Sequence, residues 1–295
     1  LPLIHMFKSG FVSIVGKPNV GKSTLMNRLV GESLSIVTAK AQTTRHRIMG
    51  ILTGTDYQIV YSDTPGLLEP IYPLQEAMMN FVTVSLEDAD LVLFVVEWGE
   101  KFDPQLHGRV LKTRAPIVVI VNKSDLGTPE GEKEKQTYWS KSVSARSVIC
   151  VSAKTGQNVN RLLPEIIGAL PEHPAYYPPD ELTDRSERFF ASEIIREKVF
   201  LNYSQEIPYS TEVGIESFKD EPSLLRISAV LYTERDSQKG ILIGKAGSSL
   251  KKVGTQARID LEAFFRKKVF LEMRVKVAAD WRKQKLKLKQ FGYLE

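Results

Sequence analysis

The sequence predicts a mostly parallel α/β domain with helices on both faces, followed by a smaller α+β domain. Three observations carry this reading. Short β-branched runs alternate with helical patterns through the first 170 residues, the alternation that builds a parallel sheet. The stretch Leu170-Pro-Glu-His-Pro-Ala-Tyr-Tyr-Pro-Pro-Asp180 places four prolines in eleven residues, which neither a helix interior nor a central strand absorbs. Beyond it the charge changes. Residues 1–180 hold 18 basic and 18 acidic side chains, whereas residues 181–295 hold 22 and 17 and carry the whole net charge of +5. The expected boundaries are 1–172 for the first domain, 173–185 for a Pro-rich linker and 186–295 for the second domain with a basic tail.

In order, strands are expected at 10–15, 57–62, 91–96, 117–121 and 148–151, and helices at Lys22–Val30, 74–85 and 159–169. The aliphatic runs at 91–96 and 117–121 are of the kind buried on both faces. In the second part, 186–201 reads as a helix and 212–218 and 225–232 as paired strands. Residues 248–266 carry an apolar stripe, Leu250, Val253, Ala257, Leu261 and Phe264, at helical spacing. Residues 269–277 alternate like a half-buried strand, and 281–291 form a short basic helical tail.

Composition excludes several classes. Charged residues at 25% and hydrophobic residues at 42% are ordinary for a globular protein. The longest aliphatic run, 115–121, is far short of the roughly 20 residues a membrane helix needs. A single cysteine, Cys150, excludes an internal disulfide framework and a cysteine-cluster metal site, so a reducing compartment, the cytoplasm, is expected. Met6 is a candidate initiator, and residues 1–5 are set aside from the fold argument as an upstream extension.

The expected strand at 10–15 runs into Gly16-Lys17-Pro18-Asn19-Val20-Gly21-Lys22-Ser23-Thr24, which opens a helix. This is a phosphate loop in strand–loop–helix context. Glycines let backbone N–H groups converge on phosphate oxygens, and the helix N-terminus adds about half a positive charge. Lys22 suits the β- and γ-phosphates, and the Ser23 hydroxyl suits Mg²⁺. Asp63-Thr64-Pro65-Gly66 follows the strand at 57–62, placing Asp63 to hold Mg²⁺ directly or through water and Gly66 to offer its N–H to the γ-phosphate.

The strand at 117–121 feeds Asn122-Lys123-Ser124-Asp125, the element that makes a phosphate-loop protein specific for GTP and GDP. Asp125 can accept from N1–H and the 2-amino group of guanine, whereas adenine offers neither and leaves the carboxylate unpaired. The Lys123 stem can lie along the base, and Asn122 can tie loops together. Ser152-Ala153-Lys154 follows the next strand, where the Ala153 N–H can meet guanine O6.

These motifs, beginning at Gly16, Asp63, Asn122 and Ser152, resemble the translation-factor-related GTPases. Ala41-Gln42-Thr43-Thr44-Arg45-His46-Arg47 falls where switch I belongs, and its Gln-Thr-Thr-Arg-His-Arg string resembles the Era-type GTPases. The resemblance implies that Thr43 or Thr44 completes the Mg²⁺ shell with Ser23 and Asp63, the residue before Arg45 being the better choice. It implies that His46 is a switch-surface residue and not a base. Leu67 stands where Ras-like enzymes carry a water-positioning glutamine, so slow intrinsic turnover is expected. Asn19 matches the asparagine with which related members hold a K⁺ ion near the phosphates.

Residues 237–295 hold 15 basic and 5 acidic side chains, so polyanion binding is expected. Ile241-Leu-Ile-Gly244-Lys245-Ala246-Gly247-Ser248 enters the long helix and resembles the loop of a type II KH module, which clamps single-stranded RNA backbone. Lys251, Lys252 and Arg258 follow on the helix, and the bases are expected against the 241–243 side. Ser192-Glu-Ile-Ile-Arg-Glu-Lys198 also resembles the Era C-terminal domain. For that family the implied partners are the 3′ end of small-subunit rRNA and a 30S-type ribosomal subunit, met by a monomer. The implied location is the cytoplasm, at the periphery of the inner membrane in part, or an organelle matrix or stroma. An alternative reading docks the Lys-rich 281–291 segment on an anionic membrane surface or a protein.

Overall fold

Strand β1 (Lys8–Val15) runs into helix α1 (Lys22–Val30), and β2 (Ile48–Thr53) pairs antiparallel with β3 (Tyr57–Asp63). There follow α2 (Pro73–Glu87), β4 (Leu91–Glu97), the short α3 (Pro104–His107), β5 (Ile117–Asn122), α4 (Pro129–Ser142), β6 (Ser147–Cys150) and α5 (Leu162–Ala169). This computed structural model describes residues 6–294, so the upstream-extension reading of residues 1–5 lies outside the described residues. The strands form one sheet in the order β2-β3-β1-β4-β5-β6, parallel except for β2. All of β5, and β4 up to Val96, is buried, as helices on both faces require.

Three elements of this sheet domain escape the sequence reading, the four-residue α3 among them. β2 is an antiparallel edge strand interrupted by Gly50, with burial that does not alternate. α4 is strongly charged, but Thr128 caps it by accepting the Gly131 N–H at 3.2 Å, Pro129 starts it and Trp139 is fully buried. The Thr-Pro pair was the available signal.

The Pro-rich stretch is not a free linker. The His173 N–H donates to the Phe7 carbonyl at 3.1 Å, and the Tyr176 and Tyr177 N–H groups donate to Gln58 Oε1 at 2.7 and 2.9 Å. The Ile51 N–H donates to the Leu182 carbonyl at 2.9 Å. Extended proline-rich chain cannot join a ladder, but its remaining polar groups bind the outer strands. The first compact unit therefore runs to Asp184, which corrects the expected end at 172 and absorbs the expected linker, and the second comprises Ile71–Ala77 and Arg185–Glu295, within one residue of the expected start at 186.

In the second unit, Ser186 caps α6 (Glu187–Asn202). Then come α7 (Ile207–Ser210), β7 (Glu212–Asp220), β8 (Leu224–Thr233), α8 (Asp236–Ile243), α9 (Ser248–Phe265), β9 (Lys268–Val277) and α10 (Lys285–Gln290). β8 is central, antiparallel to β7 and parallel to β9. Helix α8 replaces the expected simple loop before Gly244: Gln238 Oε1 accepts the Glu234 and Arg235 N–H groups, and Leu242 is buried in the core with Ile195, Ile227, Val253 and Leu261. The tail is packed down. The Trp281 indole N–H donates to the Ser210 carbonyl at 2.8 Å, Leu288 is buried and the Tyr293 hydroxyl donates to Glu212 at 2.6 Å. Among the described residues, no helix is long and apolar enough to cross a membrane.

Candidate functional site

The sheet order brings four loops together at the carboxyl ends of β1, β3, β5 and β6, where they line a cleft of about 550 Å³. Pro18, Asn19, Gly21, Lys22, Ser23 and Thr24 line it from the phosphate loop. Thr64 and Gly66, then Gln42, Thr43 and Thr44, line it from the two switch segments. Asn122, Lys123 and Asp125, with Ser152, Ala153 and Lys154, line the end where the base belongs. The other expected residues stand behind the wall. Val20, Asp63 and Pro65 are buried, Gly16 lies against the Val95 carbonyl, and Lys17 turns toward Glu100 and Asp103.

The phosphate loop holds its shape through main-chain contacts. Lys22 Nζ donates to the carbonyls of Gly16 at 3.0 Å and Lys17 at 2.8 Å. Burial lowers the Lys22 ammonium to about 8, while the charges of Asp63 and Glu100 pull it back up. Gly21 sits at φ +97°, and a Cβ there would lie 2.2 Å from Asn122 Nδ2, so both backbone and space require glycine.

The structure separates the two switch-I threonines. The Ser23 hydroxyl donates to Asp63 Oδ2 at 2.6 Å and lies 3.0 Å from Thr44 Oγ1. Thr43 instead bonds the Thr38 hydroxyl at 2.6 Å and the Lys40 carbonyl at 2.7 Å. Asp63 Oδ1 is buried with no hydrogen-bond partner among the described residues. Burial pushes this carboxyl up, and the Ser23 hydroxyl and Lys22 charge pull it down. Two hydroxyls beside an orphaned carboxylate oxygen form a hard oxygen set that suits Mg²⁺. His46 is buried 5.8 Å from the Phe81 ring, not on the switch surface.

At the base end, Asn122 Nδ2 donates to the Val20 carbonyl at 2.7 Å and Oδ1 accepts the Ala153 N–H at 2.9 Å. It thus bridges the phosphate loop and the 152–154 loop. The Ala153 N–H expected to meet guanine O6 is, in this structure, turned to Asn122. Asp125 is exposed at the rim. Arg28, which the sequence did not single out, donates to the carbonyls of Ala153 at 2.8 Å and Lys154 at 2.9 Å. Leu67 is buried, and its N–H donates to the Gly16 carbonyl at 3.0 Å.

In the second unit, Gly244 and Gly247 take φ of +71° and +77°, and Ala246 between them takes +50°. Lys245, Ala246, Lys251 and Lys252 are exposed, and Arg258 pairs with Glu262 at 3.1 Å. Gly247, Lys251 and Arg258 border a groove of about 360 Å³ whose far wall is Leu271 and Met273 of β9. The groove therefore lies between α9 and β9. On the 241–243 side Leu242 is committed to the core, whereas Ile241 is 50% exposed.

Residues 11–123 match the family described as 50S ribosome-binding GTPase, and residues 206–282 match the KH domain. A GTPase Era of Syntrophus aciditrophicus (strain SB) is 45% identical over 98% of this chain and 96% of its own length. The chain belongs to the Era GTPase family. A chloroplastic GTPase ERA-like protein of Oryza sativa subsp. japonica is 44% identical over 97% of this chain and 69% of its own. Two solved Era structures each superpose with a TM-score of 0.94 at 36% identity, covering 98% of this chain and all of theirs. One is an Aquifex aeolicus variant bound to GDP·AlF4⁻, and the other is Era in complex with MgGDPNP and nucleotides 1506–1542 of 16S ribosomal RNA. As an Era-family member, the chain is a GTP hydrolase with a C-terminal KH domain.

Proposed function

We propose that this Era-family GTPase binds the single-stranded 3′ end of small-subunit rRNA in a manner set by its nucleotide, and acts in assembly of the small ribosomal subunit. The observation that carries the reading is the Gly244–Gly247 loop with exposed Lys245, Lys251 and Lys252, which have no carboxylate partner among the described residues, beside the α9–β9 groove, in a chain so similar to an Era holding rRNA. Lysines without carboxylate partners are free to meet phosphates.

In the first unit, Lys22 and the phosphate-loop N–H groups bind the phosphates, and Asp125 reads N1–H and the 2-amino group of guanine. Ser23, Thr44 and Asp63 would hold Mg²⁺, which would supply charge neutralisation at the phosphates. Leu67 is packed away and offers no group to orient water, so intrinsic turnover is slow. Asn19 supports a K⁺ contribution. Its Nδ2 donates to the Ala39 carbonyl at 2.9 Å, which sets two neutral oxygens, Asn19 Oδ1 and Ala39 O, beside the phosphate loop. Turnover faster in K⁺ than in Na⁺, and equalised by Asn19→Ala, is the expected result.

Bound triphosphate orders Thr44 and Gly66. In the tail Trp281, Leu288 and Tyr293 are buried, while Leu286 stays 79% exposed. We place the monomeric chain in a reducing compartment, consistent with its free, buried Cys150. Crosslinking the full chain in cell extract and sequencing the attached RNA tests the reading. Recovery of small-subunit 3′-end RNA, increased by a GTP analogue over GDP, is expected. Recovery of unrelated RNA, or equal yield with either nucleotide, would argue against it.

A further inference from the structure

The turn after β4 carries a buried carboxylate–imidazole pair that no step of nucleotide recognition uses. His107 is fully buried among the rings of Phe94, Phe102 and Trp139, at 5.1, 5.5 and 6.0 Å. Its Nδ1 accepts the Asp103 N–H at 3.0 Å, so Nδ1 bears no proton and the N–H is at Nε2. Nε2 therefore donates to Glu100 Oε1 at 3.0 Å, as a neutral imidazole. The other carboxylate oxygen of Glu100 accepts the Glu97 N–H at 3.0 Å. Burial pushes the Glu100 carboxyl up, but the His107 and Glu97 hydrogen bonds and the Lys17 charge outweigh it and hold the group below its usual range.

This ionised Glu100 faces the phosphate loop. Lys17 Nζ lies 3.5 Å from Glu100 Oε1 and 3.4 Å from Asp103 Oδ2, while the Lys17 carbonyl accepts from Lys22 Nζ at 2.8 Å. At the head of the same turn, Glu97 Oε2 pairs with Lys123 of the base loop at 2.5 Å. A single turn thus grips one lysine from each of two nucleotide-binding loops.

We propose that Glu100 and His107 are positioning residues for guanine nucleotides: the imidazole orients the carboxylate, the carboxylate holds Lys17, and Lys17 holds the phosphate loop in its binding shape before nucleotide arrives. Without the brace, the loop must be ordered at the moment of binding, which weakens GDP and GTP alike and leaves the chemical step alone. A solvated surface pair would do nothing measurable. Glu100 is not solvated, since its side chain is only 6% exposed.

The test uses the full chain, fluorescent GDP and GTP analogues, steady-state hydrolysis and thermal melts. Glu100→Gln and Lys17→Met are each expected to raise Kd for both nucleotides and KM by about tenfold. Their kcat should stay within about twofold of the parent. The double variant should match Lys17→Met, because that change already removes the lysine that Glu100 and Asp103 hold. His107→Phe keeps the ring volume and should behave as Glu100→Gln. Trp139→Phe alters the same aromatic wall without touching the hydrogen-bond chain, and should lower the melting temperature with Kd unchanged. The proposal is overturned if Kd is unchanged in folded Glu100→Gln or Lys17→Met, if the double variant is additive, or if Trp139→Phe weakens nucleotide as much as Glu100→Gln. If His107→Phe fails to fold, the first two variants still decide the matter.

Discussion

Asp125 shows how far one side chain can be read from its neighbours in sequence. Its place after a hydrophobic strand and Asn-Lys assigns it to guanine, and the structure sets it on the rim of the cleft, exposed until a base arrives. Replacing its carboxylate by an amide turns an acceptor into a donor. Asp125→Asn is expected to weaken GTP by about a hundredfold or more and to favour xanthosine triphosphate. Calorimetry with GTP, ATP and xanthosine triphosphate checks this, and an unchanged order of bases would remove Asp125 from base recognition. Other residues were not legible in this way. The resemblance left Thr43 and Thr44 both open with Thr44 preferred, and the 3.0 Å approach of Thr44 to Ser23 agrees with that preference. His46 reads as a polar switch residue but is buried against Phe81. Arg28 and His107 carry no motif. Each acts on partners brought close by sheet register, so no local pattern marks them.

Secondary elements were legible where their pattern is local. α1 has glycines in left-handed conformation at both ends, and α9 buries Val253, Ala257 and Leu261 of its predicted stripe. Phe264 of that stripe stays 37% exposed. α8 was missed because it is short and carries Gly240 in its middle. The loop it leads into separates two roles for glycine. A Cβ at Gly244 would lie 2.2 Å from Ser249 Oγ, whereas nothing lies within 4 Å of one at Gly247. Gly247→Asp should therefore fold with a loss of roughly 1–2 kcal/mol for its left-handed backbone and lose RNA binding. Gly244→Asp should lose stability as well. Thermal melts with fluorescence anisotropy on a single-stranded RNA distinguish the two, and undiminished RNA binding by Gly247→Asp would count against the loop as a clamp. On β6, burial is the first cause that pushes the Cys150 thiol up to about 11, with Glu132 adding to it. A raised thiol means that the folded chain keeps its proton longer than the unfolded one. The associated stability is complete below about 9 and is lost as pH rises through 11. Alkylation at pH 8 should be slow for the native chain and fast in denaturant. Rapid native labelling would place this thiol at the surface.

The molecule as a whole divides its charge between a neutral nucleotide unit and a basic RNA unit, and function depends on linking them. Linkage is reciprocal: if a GTP analogue tightens RNA by about tenfold, RNA must tighten that analogue by the same factor. Titrating each ligand with and without the other measures both arms. No change in either would leave two independent binding units on one chain. The two-part plan was visible as alternating β/α patterns followed by a shift in charge, and so was the start of its second part near 186, yet the end of the first part was not, because 173–184 hydrogen-bonds back onto the first sheet. Local order along the chain already specified phosphate binding, guanine preference and a glycine loop suited to RNA, since each needs particular residues within a few positions of one another. Folding alone set the Thr44 hydroxyl 3.0 Å from Ser23, fixed which two loops Asn122 bridges, opened a groove between α9 and β9 and set Glu100 and His107 behind Lys17. Those outcomes depend on distances between residues far apart in sequence, and such distances exist only once strand order and packing are established.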